Sequence, residues 1–405
     1  MLPPLNCGFP SRIRWLDMDF DVVVVGAGLV GASLALALKS AGLRLAVVDA
    51  QTPVLAPDPA TWDSRVYAVS PGSAAFLDTC GAWDGLDATR LCAVDDMHVF
   101  GDDSNSALNF GAYQAGLREL AVIVESRELQ RVLWHALDHA PQVEIFAPAN
   151  CRSLHFTADA AQLELGDGRQ LQARLIVGAD GAESWVRQQA QIEVATRPYR
   201  QTAVVANFSM SAPHRGVATQ WFRRDGVLAL LPLPGERVSM VWSTASGHAE
   251  QLLSLTPDAL AQEVAAAAQE TYGAMQVITP AAAFPLRLQR VRRLVAPRLA
   301  LIGDAAHNVH PLAGQGVNLG FRDARELAQV LAQRGVAADC GDYRLLRRYE
   351  RARREDISAM QFATDTLQRL FNNDNAPLAK LRNLGLRLVN RQPQLKNFLV
   401  RQAVG

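Results

Sequence analysis

Apolar positions along this chain follow two rhythms, and the places where one gives way to the other mark its elements. Asp21-Val22-Val23-Val24-Val25 is an unbroken β-branched run, the pattern of a strand covered on both faces in a parallel sheet. Gly26-Ala27-Gly28-Leu29-Val30-Gly31 follows directly, Ala32 to Ser40 reads as helix, and Leu43 to Val48 forms a second buried strand ending at Asp49. Two later runs repeat the theme. Leu175-Ile176-Val177 leads into Gly178-Ala179-Asp180-Gly181 and a helix start at Ser184, and Leu299-Ala300-Leu301-Ile302 leads into Gly303-Asp304. Helical spacing marks Pro71–Thr79, Glu125–Leu137, Pro257–Gln269 and Val317–Leu331, while short strands joined by turns fill 143–173. From Tyr199 to Phe284 the character changes. Ala203–Ser209, Gly216–Phe222, Val227–Pro232 and Arg237–Ser243 read as strands, with hairpin signals at Arg224-Asp225-Gly226 and Pro234-Gly235-Glu236.

The expected architecture is therefore α/β: a doubly wound, Rossmann-like body interrupted by an antiparallel sheet and followed by a helical segment. Residues 19–94, 113–198 and 285–345 form the body, 95–112 and 199–284 the inserted sheet domain, 346–405 the C-terminal segment, and 1–18 an extension.

The first glycine cluster has the G-x-G-x-x-G spacing in a strand–turn–helix setting. Gly26 permits the tight turn, Gly28 lets a pyrophosphate approach the backbone, and Gly31 lets helix and strand pack closely. The helix start offers free N–H groups to phosphates. Asp49, about 20 residues on, is placed to accept from a ribose hydroxyl. The pattern predicts a dinucleotide and leaves FAD and NAD open. Farther along, His307 to Gly316 is an irregular loop with Pro311, Gly314 and Gly316 that runs into a helix, a second ready anion site. Arg65 suits a phosphate or a solvated surface; Asp180 suits a cofactor or a helix cap. Trp221, Phe222 and Trp242 suit a substrate pocket or the packing of the sheet.

Composition narrows the function. Apolar residues make up 49% and charged residues 20%, an ordinary globular balance, and forty basic residues cancel forty acidic ones. No global field draws the protein to nucleic acid. Cys7, Cys80, Cys92, Cys151 and Cys340 are scattered without a C-x-x-C pair, which argues against a zinc site and a disulfide frame and predicts no metal. The first twenty residues lack a signal-peptide core, Met18 stands just before the first strand, and no run reaches the ~20 apolar residues of a membrane span. The expected location is cytoplasmic.

In these motifs the chain resembles the flavoprotein aromatic hydroxylases, the group that includes p-hydroxybenzoate hydroxylase. GAGLVG, GADG and GDAAH occur in the family's order. More narrowly, His310 to Asp323 (HPLAGQGVNLGFRD) is similar at every defined position to the signature of the ubiquinone-biosynthesis hydroxylases, the UbiH/UbiF/VisC-like family. The resemblance covers roughly residues 19–350.

It implies FAD as cofactor, molecular oxygen as co-substrate, and NAD(P)H or another reductant as electron donor. The donor has no domain of its own, because no second G-x-G-x-x-G exists. By resemblance, Gly26, Ala27, Gly28, Leu29, Val30, Gly31 and Asp49 hold the ADP half, and Arg127 reaches the pyrophosphate or ribityl region; Arg65 stays a cofactor candidate on the sequence alone. Asp180 serves FAD and a passing nicotinamide nucleotide. Gly303 and Asp304 meet the ribityl chain, and the backbone of Gly316, Val317 and Asn318 faces the flavin ring. His310, Pro311 and Gly314 line the space where substrate and oxygen meet. The implied reaction is hydroxylation of a polyprenyl-phenol ring in ubiquinone biosynthesis by a flavin C4a-hydroperoxide. The alternatives are hydroxylation of a soluble aromatic acid, and a non-catalytic FAD-bound subunit of a biosynthetic assembly.

The segment from Arg344 onward carries thirteen basic against five acidic residues, and Leu378, Leu381, Leu384, Leu388 and Val389 fall near one helical face. Two readings stand: peripheral contact with anionic lipid, or packing on the body or on a partner.

Overall fold

A computed structural model describes residues 19–54, 58, 60–101, 107–309, 314–335 and 338–371, the last few (367–371) as backbone only. The valine run forms the strand Phe20–Val25, buried along its whole length at the centre of an eight-stranded sheet. Gln170–Gly178 and Leu45–Val48 flank it in parallel. Leu299–Leu301 lies outside the first and Val143–Phe146 outside the second, also in parallel. Antiparallel strands complete this sheet: Ala161–Leu165 pairs with the start of Gln170–Gly178 and carries Cys151–Phe156, and Val295–Ala296 pairs with Leu299–Leu301. β-Branched runs suit these positions because both faces are covered. One face packs the helices Leu29–Leu38, Ser126–Asp138 and Gly316–Ala332 into the main core.

The helix after the first glycine turn starts at Leu29, three residues before the sequence pattern places it, because Gly28 itself caps the helix and Leu29 to Gly31 make its first turn. Strand Val66–Val69, which the sequence reading left unassigned, pairs with Ala121–Glu125, whose other edge pairs with Cys92–Val94, in a small three-stranded sheet.

The inserted sheet has nine strands. Val194–Met210, Val217–Arg223, Gly226–Leu233 and Arg237–Ala245 form its centre, with Ala282–Val291 beside the first and Asp96–Phe100 and Ala107–Gly111 beyond the second. Val194–Met210 and Ala282–Val291 run across positions 198/199 and 284/285, so a continuous two-stranded ribbon joins the sheet to the body. Alternation divides the side chains between two faces. Val204, Ala206, Phe208, Leu228, Leu230, Met240, Trp221 and Trp242 pack against the helices Ser246–Ser254 and Pro257–Ala267. The opposite face meets the small sheet, where Ala218, Leu231 and Leu233 pack with Trp62, Val66, Ala68 and Ile123.

Candidate active site

The first turn separates the roles of its glycines. Gly26 sits in the left-handed region (φ +103°), and a Cβ there would run into the Ala179 carbonyl. A Cβ on Gly31 would strike the Gly26 carbonyl oxygen, whereas one on Gly28 meets no protein atom within 4 Å. The fold therefore needs Gly26 and Gly31, and the room at Gly28 lies beside helix N–H groups that have no intrahelical acceptor. Asp49 accepts the Ala27 N–H at 2.6 Å, and the Trp134 indole donates to the Ala27 carbonyl at 2.8 Å from the far side of the turn. Sequence reasoning missed Trp134, because nothing local marks a helix residue 107 positions away as a clamp.

The other two motifs arrive at the same sheet edge. Ala179 N–H donates to Val25 O at 2.8 Å and Ile302 N–H to Gly178 O at 3.0 Å, so all three motifs lie at the carboxyl ends of three adjacent parallel strands. Ligands of open α/β sheets bind at that edge. Asp180 accepts the Ser184 hydroxyl and the Val186 N–H (2.9 Å), so it caps the short helix Trp185–Gln189. Burial raises its carboxyl, and these hydrogen bonds partly offset the rise. Burial also pushes the Cys151 thiol up to about 12, helped by the nearby charges of Asp180 and Asp49. Arg187, buried, donates to Ala305 O and Ala182 O, each at 2.9 Å, and staples the second motif to the third.

Gly303 has φ +59°, and its Cα packs against Val30 of the first turn, as does Gly320 of the later helix. The two distant glycine-rich stretches are therefore in contact. Asp304 is open to solvent yet surrounded by protein atoms, the situation of a group on a cleft wall. Burial raises its carboxyl, while His307, Arg65 and Arg287 pull it back. Among the described residues it has no hydrogen-bond partner, which leaves both oxygens for the hydroxyls of a ligand. Across from it the Arg65 guanidinium lies 5.4 Å from the Tyr67 ring and 5.8 Å from the Phe284 ring, bridging the body and the inserted sheet.

The helix Gly316–Ala332 starts with the expected open approach: a Cβ on Gly316 meets no protein atom within 4 Å. The fully buried Asn318 side chain turns inward. It accepts from Ser70 N–H at 2.9 Å and donates to Ala68 O at 2.8 Å, so only its backbone is available to a cofactor. Gly314 (φ +60°) packs near Ala68. His310 and Pro311, expected above the ring, lie outside the described residues, as do residues 1–18 and the leucine stripe beyond 371.

The remaining expected residues have these surroundings. The Arg127 guanidinium binds the Thr61 hydroxyl at 2.8 Å and the Thr61 carbonyl, and pairs with the fully buried Glu125 at 3.2 Å. Trp221 and Trp242 point into the helix-covered core of the inserted sheet, on the face away from the body. A pocket role for these two is corrected: strand alternation turns them from the cleft, and they serve packing. Phe222 lies on the other face, against Val227, Val99 and Leu108.

A buried network that sequence reasoning left unread holds the third motif from behind. Asp323, fully buried, accepts from Gly303 N–H at 2.9 Å, from His307 Nε2 at 2.6 Å and from Arg353 Nε at 2.7 Å. Burial alone would raise the Asp323 carboxyl, but His307 and Arg353 hold it below the usual carboxylate range. His307 is thus engaged in structure, and Asp323 fixes the turn that presents Asp304.

A doubly wound sheet with three motifs along one edge and an antiparallel sheet over them defines an FAD-dependent monooxygenase fold, and the residues present suit the cofactor. Gly28 and Gly316 leave space for it, Asp304 lacks a partner among the described residues, and Asp49 orders the first turn. The chain belongs to the FAD binding domain family, which matches residues 19–363. It is 39% identical to the ubiquinone hydroxylase UbiL of Rhodospirillum rubrum over 96% of this chain and 90% of that one. With the 3-demethoxyubiquinol 3-hydroxylase of Escherichia coli it shares 35% identity (95% and 98% covered), and with human mitochondrial COQ6, a ubiquinone biosynthesis monooxygenase, also 35% (96% and 94%). Solved structures with the same fold include Pseudomonas aeruginosa PqsL (TM-score 0.75, 24% identity, 90% and 99% covered) and p-nitrophenol 4-monooxygenase PnpA of Pseudomonas putida (0.75, 19%, 95% and 98%). The protein is an FAD-dependent hydroxylase of this family. Among the described residues no helix is long and apolar enough to cross a membrane, and no cluster of side chains suits a metal.

Proposed function

We propose that this enzyme hydroxylates the aromatic ring of a polyprenyl-phenol intermediate in ubiquinone biosynthesis. The convergence of all three motifs on one sheet edge, beneath an inserted sheet, carries the monooxygenase chemistry. The ring-hydroxylating relatives in quinone biosynthesis, similar along nearly the whole chain, support the substrate class.

FAD, when bound, supplies electron transfer and oxygen activation. The chain supplies position and field. The amides beside Gly28 receive the pyrophosphate, Asp49 the adenosine ribose, and Asp304 the ribityl hydroxyls. The N-terminus of Gly316–Ala332 presents the backbone N–H groups of Gly316, Val317 and Asn318 to negative charge on the ring. Arg65, Tyr67 and Phe284 close the cleft between body and sheet and limit the entry of water. His310, Pro311 and Gly314 border the substrate, NAD(P)H is the electron donor, and residues 346–405 provide contact with a membrane surface or with partner proteins.

The deciding experiment is deletion of the gene followed by mass spectrometry of the quinone pool. Accumulation of a prenylated precursor one hydroxyl short, restored by the wild-type gene, is expected. An unchanged pool rejects the substrate assignment. Purified enzyme under 18O2 should place one labelled oxygen on that precursor.

A further inference from the structure

We propose that a pocket behind the turn Gly303–His307 binds a phosphate-bearing anion at a site separate from the FAD cleft. The pocket has a volume of about 440 Å³, within the range of small-molecule sites. Its walls come from the start of strand Val194–Met210, from the end of strand Ala282–Val291 with residues 292–294, and from the long helix Tyr343–Phe371; Ala306 and His307 close its back. None of the residues assigned above to FAD lines it.

Four arginines face two carboxylates there, so the lining carries two positive charges in excess: Arg290, Arg292, Arg293 and Arg354 against Glu193 and Glu350. Both carboxylates are already engaged. Glu193 accepts from Arg292 at 3.1 Å, and buried Glu350 accepts the Leu294 N–H at 2.8 Å and pairs with Arg347. The arginines keep donors to spare. Arg290 makes a single 3.3 Å bond to Ser358, Arg354 a single 3.3 Å bond to the Arg292 carbonyl, and Arg293 has no partner among the described residues. Each guanidinium carries five N–H groups in a fork that matches phosphate oxygens. Val291, Leu294 and Ile357 give the pocket an apolar floor that suits the carbon part of a phosphate ester.

A free phosphate ester and a phospholipid headgroup share this chemistry, and the test separates them. FAD-loaded full-length protein is melted in inorganic phosphate and in chloride of matched ionic strength, and is floated with phosphatidylglycerol or phosphatidylcholine vesicles. Arg293→Ala/Arg354→Ala is compared at equal flavin content, with Arg293→Ala alone as the second variant should the pair fail to fold. A rise in Tm of about 2 °C or more at ~10 mM phosphate, lost in the variant, supports a free-phosphate site. Flotation with phosphatidylglycerol alone, without a phosphate shift and lost in the variant, supports a headgroup site. No response from the wild type, or one that the variant keeps in full, overturns the proposal and leaves a solvated basic face.

Discussion

Gly28 and Gly31 differ by three positions and by what a side chain would strike. At Gly28 only a ligand stands in the way, so Gly28→Val is expected to fold with a Tm close to that of wild-type apoprotein and to purify colourless. Flavin absorbance per mole of protein checks this, and a fully yellow variant removes the pyrophosphate assignment. Gly31→Val drives its side chain into backbone; this variant should lose soluble yield and Tm along with flavin. Asp304 offers the complementary case. It stands on the cleft wall, open to solvent and with no hydrogen-bond partner among the described residues, so Asp304→Asn removes a carboxylate whose charge its surroundings oppose while weakening its hold on the ribityl hydroxyls. FAD titration should show a dissociation constant raised about tenfold or more, with apoprotein Tm unchanged or higher.

At the scale of elements, the helix Gly316–Ala332 is anchored at both ends of its first turns, by Asn318 to Ala68 and Ser70, and by Asp323 to Gly303, His307 and Arg353. Asp323→Asn leaves Arg353 and His307 without their shared anion and should cost about 3 kcal/mol or more of stability. The sign with pH follows from the depressed carboxyl. The stabilisation is present in full above the unfolded carboxylate value of about 3.9 and fades as pH falls through the lower folded value. Melting both proteins from pH 7 down to pH 3 should therefore show a gap in Tm that is constant at first and narrows below about pH 4. The inserted sheet makes a contrasting prediction. Trp242→Ala empties a fully buried site in the helix-covered core and should cost about 3–5 kcal/mol, with KM for the aromatic substrate unchanged in protein that remains folded.

The same elements show what could be read from the chain. Glycine turns and buried β-branched strands were legible because backbone sterics and two-sided burial leave local marks: Gly26, Gly28, Gly31, Asp49 and the parallel core stand where the pattern placed them. The facing of Trp221 and Trp242 was not, since alternation reveals two faces without saying which one helices will cover. The Asp323 network was equally hidden. Its partners lie 16, 20 and 30 positions away, and no periodicity joins them. Val66–Val69 escaped notice because three of its four residues are only half-buried, a weak signal beside the valine run before Gly26.

For the whole molecule, the ribbon of Val194–Met210 and Ala282–Val291 makes the inserted sheet an outgrowth of the body, while Arg65 reaches across to Phe284 at the cleft. The binding edge is assembled from strands that begin at residues 20, 170 and 299, neighbours in space but far apart along the polypeptide. A ribosome must therefore pass Leu299 before the cofactor has anywhere complete to settle. Chains cut short ahead of Leu299 should emerge pale however much FAD surrounds them, and the first appearance of yellow during synthesis would time the moment when the ends of the fold meet.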